Sequence, residues 1–130
     1  MGQLKRVLYV DDDPDIREIA TLAIRDVGGM EVLVCDSGKV ALESIDKFDP
    51  QLILLDVMMP EMDGPSTLRA LRAQKLITDS TAVVFLTAKI QAEALSDYQK
   101  LGVNDVISKP FDPMMLAEKL QEIWSRLDDR

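Results

Sequence analysis

The sequence predicts an α/β domain: one open, doubly wound sheet of five parallel strands, each followed by a helix. Two observations carry this. Short apolar runs alternate with segments of helical period, and the runs are continuously apolar rather than alternating with polar residues. Continuous runs are what strands show when helices cover both faces of a parallel sheet, and strand–helix alternation implies right-handed crossovers. A length of 130 residues suits a single domain over residues 1–130, with no output domain expected in the chain.

The first run is Val7-Leu8-Tyr9-Val10. Asp13 and Pro14 then make a cap and first turn, Ile16, Ile19, Ala20, Ala23, Ile24 and Val27 form a helical stripe, and Gly28-Gly29 stops it. The second run, Val32-Leu33-Val34-Cys35, leads through Ser37-Gly38 into a helix marked by Val40, Ala41, Leu42 and Ile45. After the third run, Leu52-Ile53-Leu54-Leu55, Pro65 precedes a helix carrying Leu68 and Leu71. The fourth run, Ala82-Val83-Val84-Phe85-Leu86, is followed by Ala94, Leu95, Tyr98 and Leu101, and Gly102 ends that helix. A weaker fifth run, Val106-Ile107, leads to a helix opened by Asp112-Pro113, with Leu116, Leu120, Ile123 and Leu127 on one face.

Composition removes several functions. The net charge of −8 argues against a nucleic-acid surface, which needs a field of Lys and Arg. With no histidine, the chain carries no Ser-His or Cys-His catalysis, no histidine-ligated zinc and no phosphohistidine of its own. Cys35 is the sole cysteine, so it forms no intrachain disulfide, and its apolar run makes it a small core residue. No apolar run approaches the roughly 20 residues of a membrane helix, and the N-terminus lacks a signal-peptide pattern. Arg6 stands where a myristoylation motif beginning at Gly2 needs Ser or Thr. A cytoplasmic protein without membrane partners is the expectation.

In open α/β sheets the site lies at the carboxyl ends of the strands. Asp11, Asp12 and Asp13 follow the first run, Asp56 the third, and Thr87 the fourth; Lys109-Pro110 comes after the fifth, with Ser108 between. Asp36 follows the second and reads as a helix starter. Crowded carboxylates either take up protons or bind a cation, and an all-oxygen set suits a hard ion such as Mg²⁺. Lys109 adds a positive charge and Thr87 a donor and acceptor, the parts needed for phosphoryl transfer, with Asp56 as nucleophile. Each residue has a plainer reading alone: an Asp triplet as a helix cap, a strand-end Asp as a turn residue, Lys-Pro as a loop. Their coincidence at successive strand ends is the specific signal.

The stretches Val7 to Asp13, Leu54-Leu55-Asp56-Val57-Met58-Met59-Pro60-Glu61-Met62-Asp63-Gly64, Phe85-Leu86-Thr87-Ala88 and Ser108-Lys109-Pro110-Phe111 resemble, in order and spacing, the receiver domains of two-component response regulators. The resemblance covers nearly the whole chain and implies a flavodoxin-like (βα)₅ fold. It implies that Asp56 is the phosphoacceptor, that Asp12 ligates Mg²⁺ directly, and that Asp11 does so directly or through water. It further implies that the backbone carbonyl of Met58 completes the protein's ligands, that Lys109 contacts the phosphoryl group, and that Thr87 hydrogen-bonds it and moves on activation. It also implies a cis Lys109–Pro110 bond, with Asp13 as a cap, and places the side chains of Met58 and Lys89 where phosphoryl lifetime is tuned.

The implied partners are a sensor histidine kinase or phosphotransfer protein and a downstream protein effector. Two copies can also pair through the fourth helix, fifth strand and fifth helix. The implied activity is that of a switch that assists its own phosphorylation and dephosphorylation rather than a turnover enzyme. One departure stands out: Val106 occupies a place that is often aromatic in the family, so coupling between Thr87 and an aromatic is not expected in its usual form. Two alternatives remain. One is a phosphatase of the haloacid-dehalogenase type, using Asp11, although Pro14 and the short chain fit it poorly. The other is a receiver-shaped interaction module that is never phosphorylated, which the intact set of Asp12, Asp56, Thr87 and Lys109 disfavours.

Overall fold

The computed structural model describes residues 2–88 and 92–128. Five strands form one parallel sheet: β1 (Arg6–Val10), β2 (Glu31–Cys35), β3 (Leu52–Asp56), β4 (Ala82–Thr87) and β5 (Asp105–Ser108). Five helices connect and follow them: α1 (Pro14–Leu22), continued by a π-helical turn (Ala23–Val27), then α2 (Gly38–Phe48), α3 (Gly64–Ala73), α4 (Ala92–Lys100) and α5 (Leu116–Asp128). The strand order is β2-β1-β3-β4-β5, the flavodoxin-like order, with its switch between β1 and β3.

Strand alternation divides the core into two layers. Val7, Tyr9, Leu52, Leu54, Val84 and Leu86 face one way, against Ala20, Ala23 and Ile24 of the first helical segment and Leu116, Leu120, Ile123 and Trp124 of α5. Leu8, Val10, Ile53, Leu55, Val83 and Phe85 face the other way, against Ala41 and Ile45 of α2 and Leu68 and Leu71 of α3. Every residue of β3 and β4 is buried, which accounts for their unbroken apolar runs. Cys35 is a buried thiol, as expected.

Capping sets the helix starts. The Asp13 carboxylate accepts from the N–H groups of Asp15 and Ile16, with Pro14 in the first turn. Ser37 caps α2 through the N–H of Val40, and Asp63 caps α3 through the N–H of Ser66.

Three local expectations are corrected. Ile19 and Val27 belong to the expected stripe of the first helix but are 46% and 51% exposed. Ile19 lies on the flank of the buried row, and the π-helical turn, with one extra residue per turn, rotates Val27 away from the sheet. The last helix begins at Leu116 rather than at Asp112-Pro113. There the Asp112 side chain takes the N–H of Met114 and its carbonyl takes that of Met115, making a separate turn first. Finally, Asp56, Thr87 and Ser108 are the last residues of their strands, not the first beyond them.

No helix among the described residues is long and apolar enough to cross a membrane.

Candidate functional site

Asp11 leaves β1 as a fully buried residue, and the register of the sheet places Asp56 beside Leu86 and Thr87 beside Ser108. The carboxyl ends of β1, β3, β4 and β5 therefore deliver their polar residues to one rim. Asp11, Asp12 and Asp56 each offer an oxygen within 4.8 Å of the others.

Lys109 reaches into this cluster from the end of β5. Its Nζ donates to Asp56 Oδ1 at 3.0 Å and lies 3.2 Å from Asp11 Oδ2. Its own N–H donates to the Thr87 carbonyl at 2.8 Å, which ties the lysine's backbone to the end of β4. The Lys109–Pro110 peptide bond is cis, as expected. Thr87 is buried. Met58 lies in the loop after β3, its side chain in solvent, and Lys89 lies outside the described residues.

The Asp11 carboxylate is further held by its own strand. Tyr9, two residues earlier and so on the same face, donates its hydroxyl to Oδ2 at 2.8 Å. The N–H of Asp13 donates to Oδ1 at 3.0 Å. Arg17 reaches back from α1 to the Asp11 carbonyl at 3.1 Å. Neither Tyr9 nor Arg17 was foreseen. Tyr9 sits inside an apolar run and reads as core; the i, i+2 spacing to Asp11 is the signal that finds it.

The loop after β3 folds tightly. The Gly64 N–H donates to the Val57 carbonyl at 2.9 Å, and a Cβ at Gly64 would stand 2.7 Å from the Asp56 carbonyl oxygen. Glycine is required at that position because α3 starts in contact with the backbone that bears Asp56.

The electrostatics follow from this crowding. Burial pushes the Asp56 carboxyl up to about 6; the bond from Lys109 opposes the rise, and the charges of Asp11 and Asp12 add to it. Burial also works against the Lys109 ammonium, but Asp56 and Asp11 outweigh it and hold the amine above its ordinary range. Burial and then the Asp11 charge hold the Tyr9 phenol far above its ordinary range, so it remains a donor.

Three carboxylates, without nitrogen or sulfur donors among the clustered groups, fit a hard divalent cation such as Mg²⁺. One cation there would offset both the burial and the neighbouring charges that raise Asp56. The rim can thus neutralise a multiply charged oxyanion with one lysine and one metal ion beside a buried carboxylate.

Comparison with known proteins identifies the family. The sequence model of the family described as the response regulator receiver domain matches residues 7–121. The DNA-binding response regulator MtrA of Mycolicibacterium smegmatis is 34% identical over 125 residues, covering 96% of this chain and 53% of that protein. Chemotaxis protein CheY-3 of Vibrio cholerae is 34% identical over 122 residues, covering 94% of this chain and 93% of that protein. Among solved structures, chemotaxis protein CheY4 of Vibrio cholerae aligns with a TM-score of 0.84 at 31% identity, over 92% of this chain and 98% of that one. The chain spans about half the length of the mycobacterial regulators it matches.

Proposed function

The chain belongs to the response-regulator receiver family, and on that premise we propose that it accepts a phosphoryl group on Asp56 with the help of Mg²⁺. The observation that carries this reading is Lys109 Nζ bridging Asp56 and Asp11 in a buried corner beside Asp12. The donor is the phosphohistidine of a sensor histidine kinase or phosphotransfer protein.

Asp11, Asp12, Asp56 and the Met58 carbonyl would hold the ion. When bound, it would supply positive charge to offset the negative charge developing on the phosphoryl oxygens. An Asp56 carboxylate oxygen attacks phosphorus in line; the P–N bond to the donor imidazole breaks and the imidazole leaves with that electron pair. Lys109 already touches Asp56 and turns its ammonium to the incoming oxygens. Hydrolysis of the acyl phosphate by water returns the carboxylate, so the domain resets itself and acts as a switch.

The product carries roughly −1.5 to −2 charges and three acceptor oxygens where a single carboxylate stood. Thr87, at the end of β4, donates its hydroxyl to them. With Val106 half-buried beside Phe85 in the sheet, the shift passes from Thr87 toward α4, whose Tyr98 ring meets the Phe85 ring edge-on with centroids 4.8 Å apart. A protein effector that prefers one state of the α4, β5 and α5 face reads the change, and a second copy of the chain can pair there.

The test is intact mass after incubation with acetyl phosphate and Mg²⁺. Wild type gains one phosphoryl group, EDTA abolishes the gain, and Asp56→Asn does not gain it. No gain under any of these conditions supports the non-phosphorylated module instead.

A further inference from the structure

We propose that Tyr9 is a positioning residue for Asp11, and that by occupying one oxygen of that carboxylate it sets the site's preference for Mg²⁺ over the larger Ca²⁺. The inference rests on the reading of Asp11 as a metal ligand.

A carboxylate offers about four lone-pair sites. Three of those on Asp11 have donors: Oδ2 meets the Tyr9 hydroxyl at 2.8 Å and Lys109 Nζ at 3.2 Å, and Oδ1 meets the Asp13 N–H at 3.0 Å. One site on Oδ1 is left for an ion, so Asp11 binds through a single oxygen. Mg²⁺ takes six ligands in near-ideal octahedral geometry and keeps several waters, which suits such a ligand. Ca²⁺ takes six to eight and readily uses both oxygens of a carboxylate. While the phenol stays on Oδ2, that second oxygen is closed to Ca²⁺.

The arrangement is rigid. Tyr9 is fully buried in the middle of the sheet, between the pairings with Val34 of β2 and Leu54 of β3, so its ring cannot swing away. Lys109, the other donor on Oδ2, is on a flexible stem and can turn to an arriving phosphoryl group. Tyr9 is the donor that stays through the cycle. A buried phenol needs a partner somewhere, and a purely structural tyrosine would be satisfied by Asp11 without affecting the choice of ion.

Calorimetric titration of wild type and Tyr9→Phe with Mg²⁺ and with Ca²⁺ separates the two roles. Removing the hydroxyl should move the ratio of affinities toward Ca²⁺ by about three- to tenfold, the net worth of one ordinary hydrogen bond. An unchanged ratio with both ions bound overturns the positioning role. Failure of wild type to bind either ion overturns the metal reading beneath it. Should Tyr9→Phe not fold, the near-ultraviolet tyrosine difference spectrum of the Tyr98→Phe protein, in which Tyr9 is the remaining tyrosine, serves instead. The phenol should keep its bond to Oδ2 with either ion, so Mg²⁺ and Ca²⁺ should both leave that band nearly still; a marked perturbation by Ca²⁺ overturns the inference.

Discussion

At the amino ends of the strands, side-chain amides close the sheet; at the carboxyl ends, carboxylates crowd it. Gln51 shows the first pattern. Its Oε1 accepts the N–H groups of Lys5 and Arg6, at 2.6 and 3.0 Å, and its Nε2 donates to the Gln3 carbonyl. Gln121 and Trp124 of α5 bond Leu4 and Gly2 in the same way. These groups are neutral and mutually satisfied. The opposite rim holds Asp11 and Asp56 buried together, with Lys109 between them and Asp56 pushed up to about 6. One end secures the fold, whereas the other holds charge that folding alone would not favour, as expected where function sets the sequence.

The contrast sharpens most at Lys109. Lys109→Ala should slow phosphoryl uptake from acetyl phosphate by about 10²–10³-fold, the usual cost of losing one oxyanion donor. Time-resolved intact mass measures it, and a change below about threefold would break the assignment.

Asp56→Asn should stabilise the protein at pH 7 by about 1–3 kcal/mol in urea unfolding without metal. The sign follows from the raised carboxyl. Protonated Asp56 favours the folded state below its unfolded value near 3.8, and that contribution is lost as pH rises through about 6. The gain should therefore vanish by about pH 4. Saturating Mg²⁺ should shrink it at pH 7 by stabilising wild type through binding. A variant less stable than wild type at pH 7 would contradict the view of a charge-strained rim.

Gln51→Ala tests the other end. Leaving the N–H groups of Lys5 and Arg6 without their acceptor should cost about 1–2 kcal/mol in the same unfolding experiment, with phosphoryl uptake unchanged per folded molecule. Loss of uptake would show that the two rims are coupled.

The smallest effect belongs to Asp63, the cap of α3. Hydrogen bonding from Ser66, and then the Arg69 charge, hold its carboxyl below the ordinary range against a small opposing effect of burial. Asp63→Ala should cost about 1 kcal/mol at pH 7. That contribution is present above the unfolded carboxyl value and is lost as pH falls through the lower folded one, so the two proteins should converge in strong acid.

Most of the fold was legible because its determinants are local or periodic. Runs such as Leu52 to Leu55 are apolar throughout since both faces of β3 are covered, and Asp13, Ser37 and Pro14 mark helix starts by chemistry readable in one dimension. The residues of the site were legible because parallel strands deliver their ends to one rim, so listing what terminates each run nearly lists the site. What escaped depended on three-dimensional detail. Tyr9 differs from a core tyrosine only in where its hydroxyl ends, and the exposure of Val27 depends on a π-helical turn that no periodic pattern announces. The separate turn before α5 depends on Asp112 bonding its own neighbours.

The most direct test of the central claim is to locate the modification. After phosphorylation with acetyl phosphate and Mg²⁺, borohydride reduction converts an aspartyl phosphate to homoserine, which peptide mass mapping can place. The account predicts homoserine at position 56 alone, dependent on Mg²⁺ and absent from Asp56→Asn. Homoserine at position 11 or 12, or the same yield from Asp56→Asn, would contradict it.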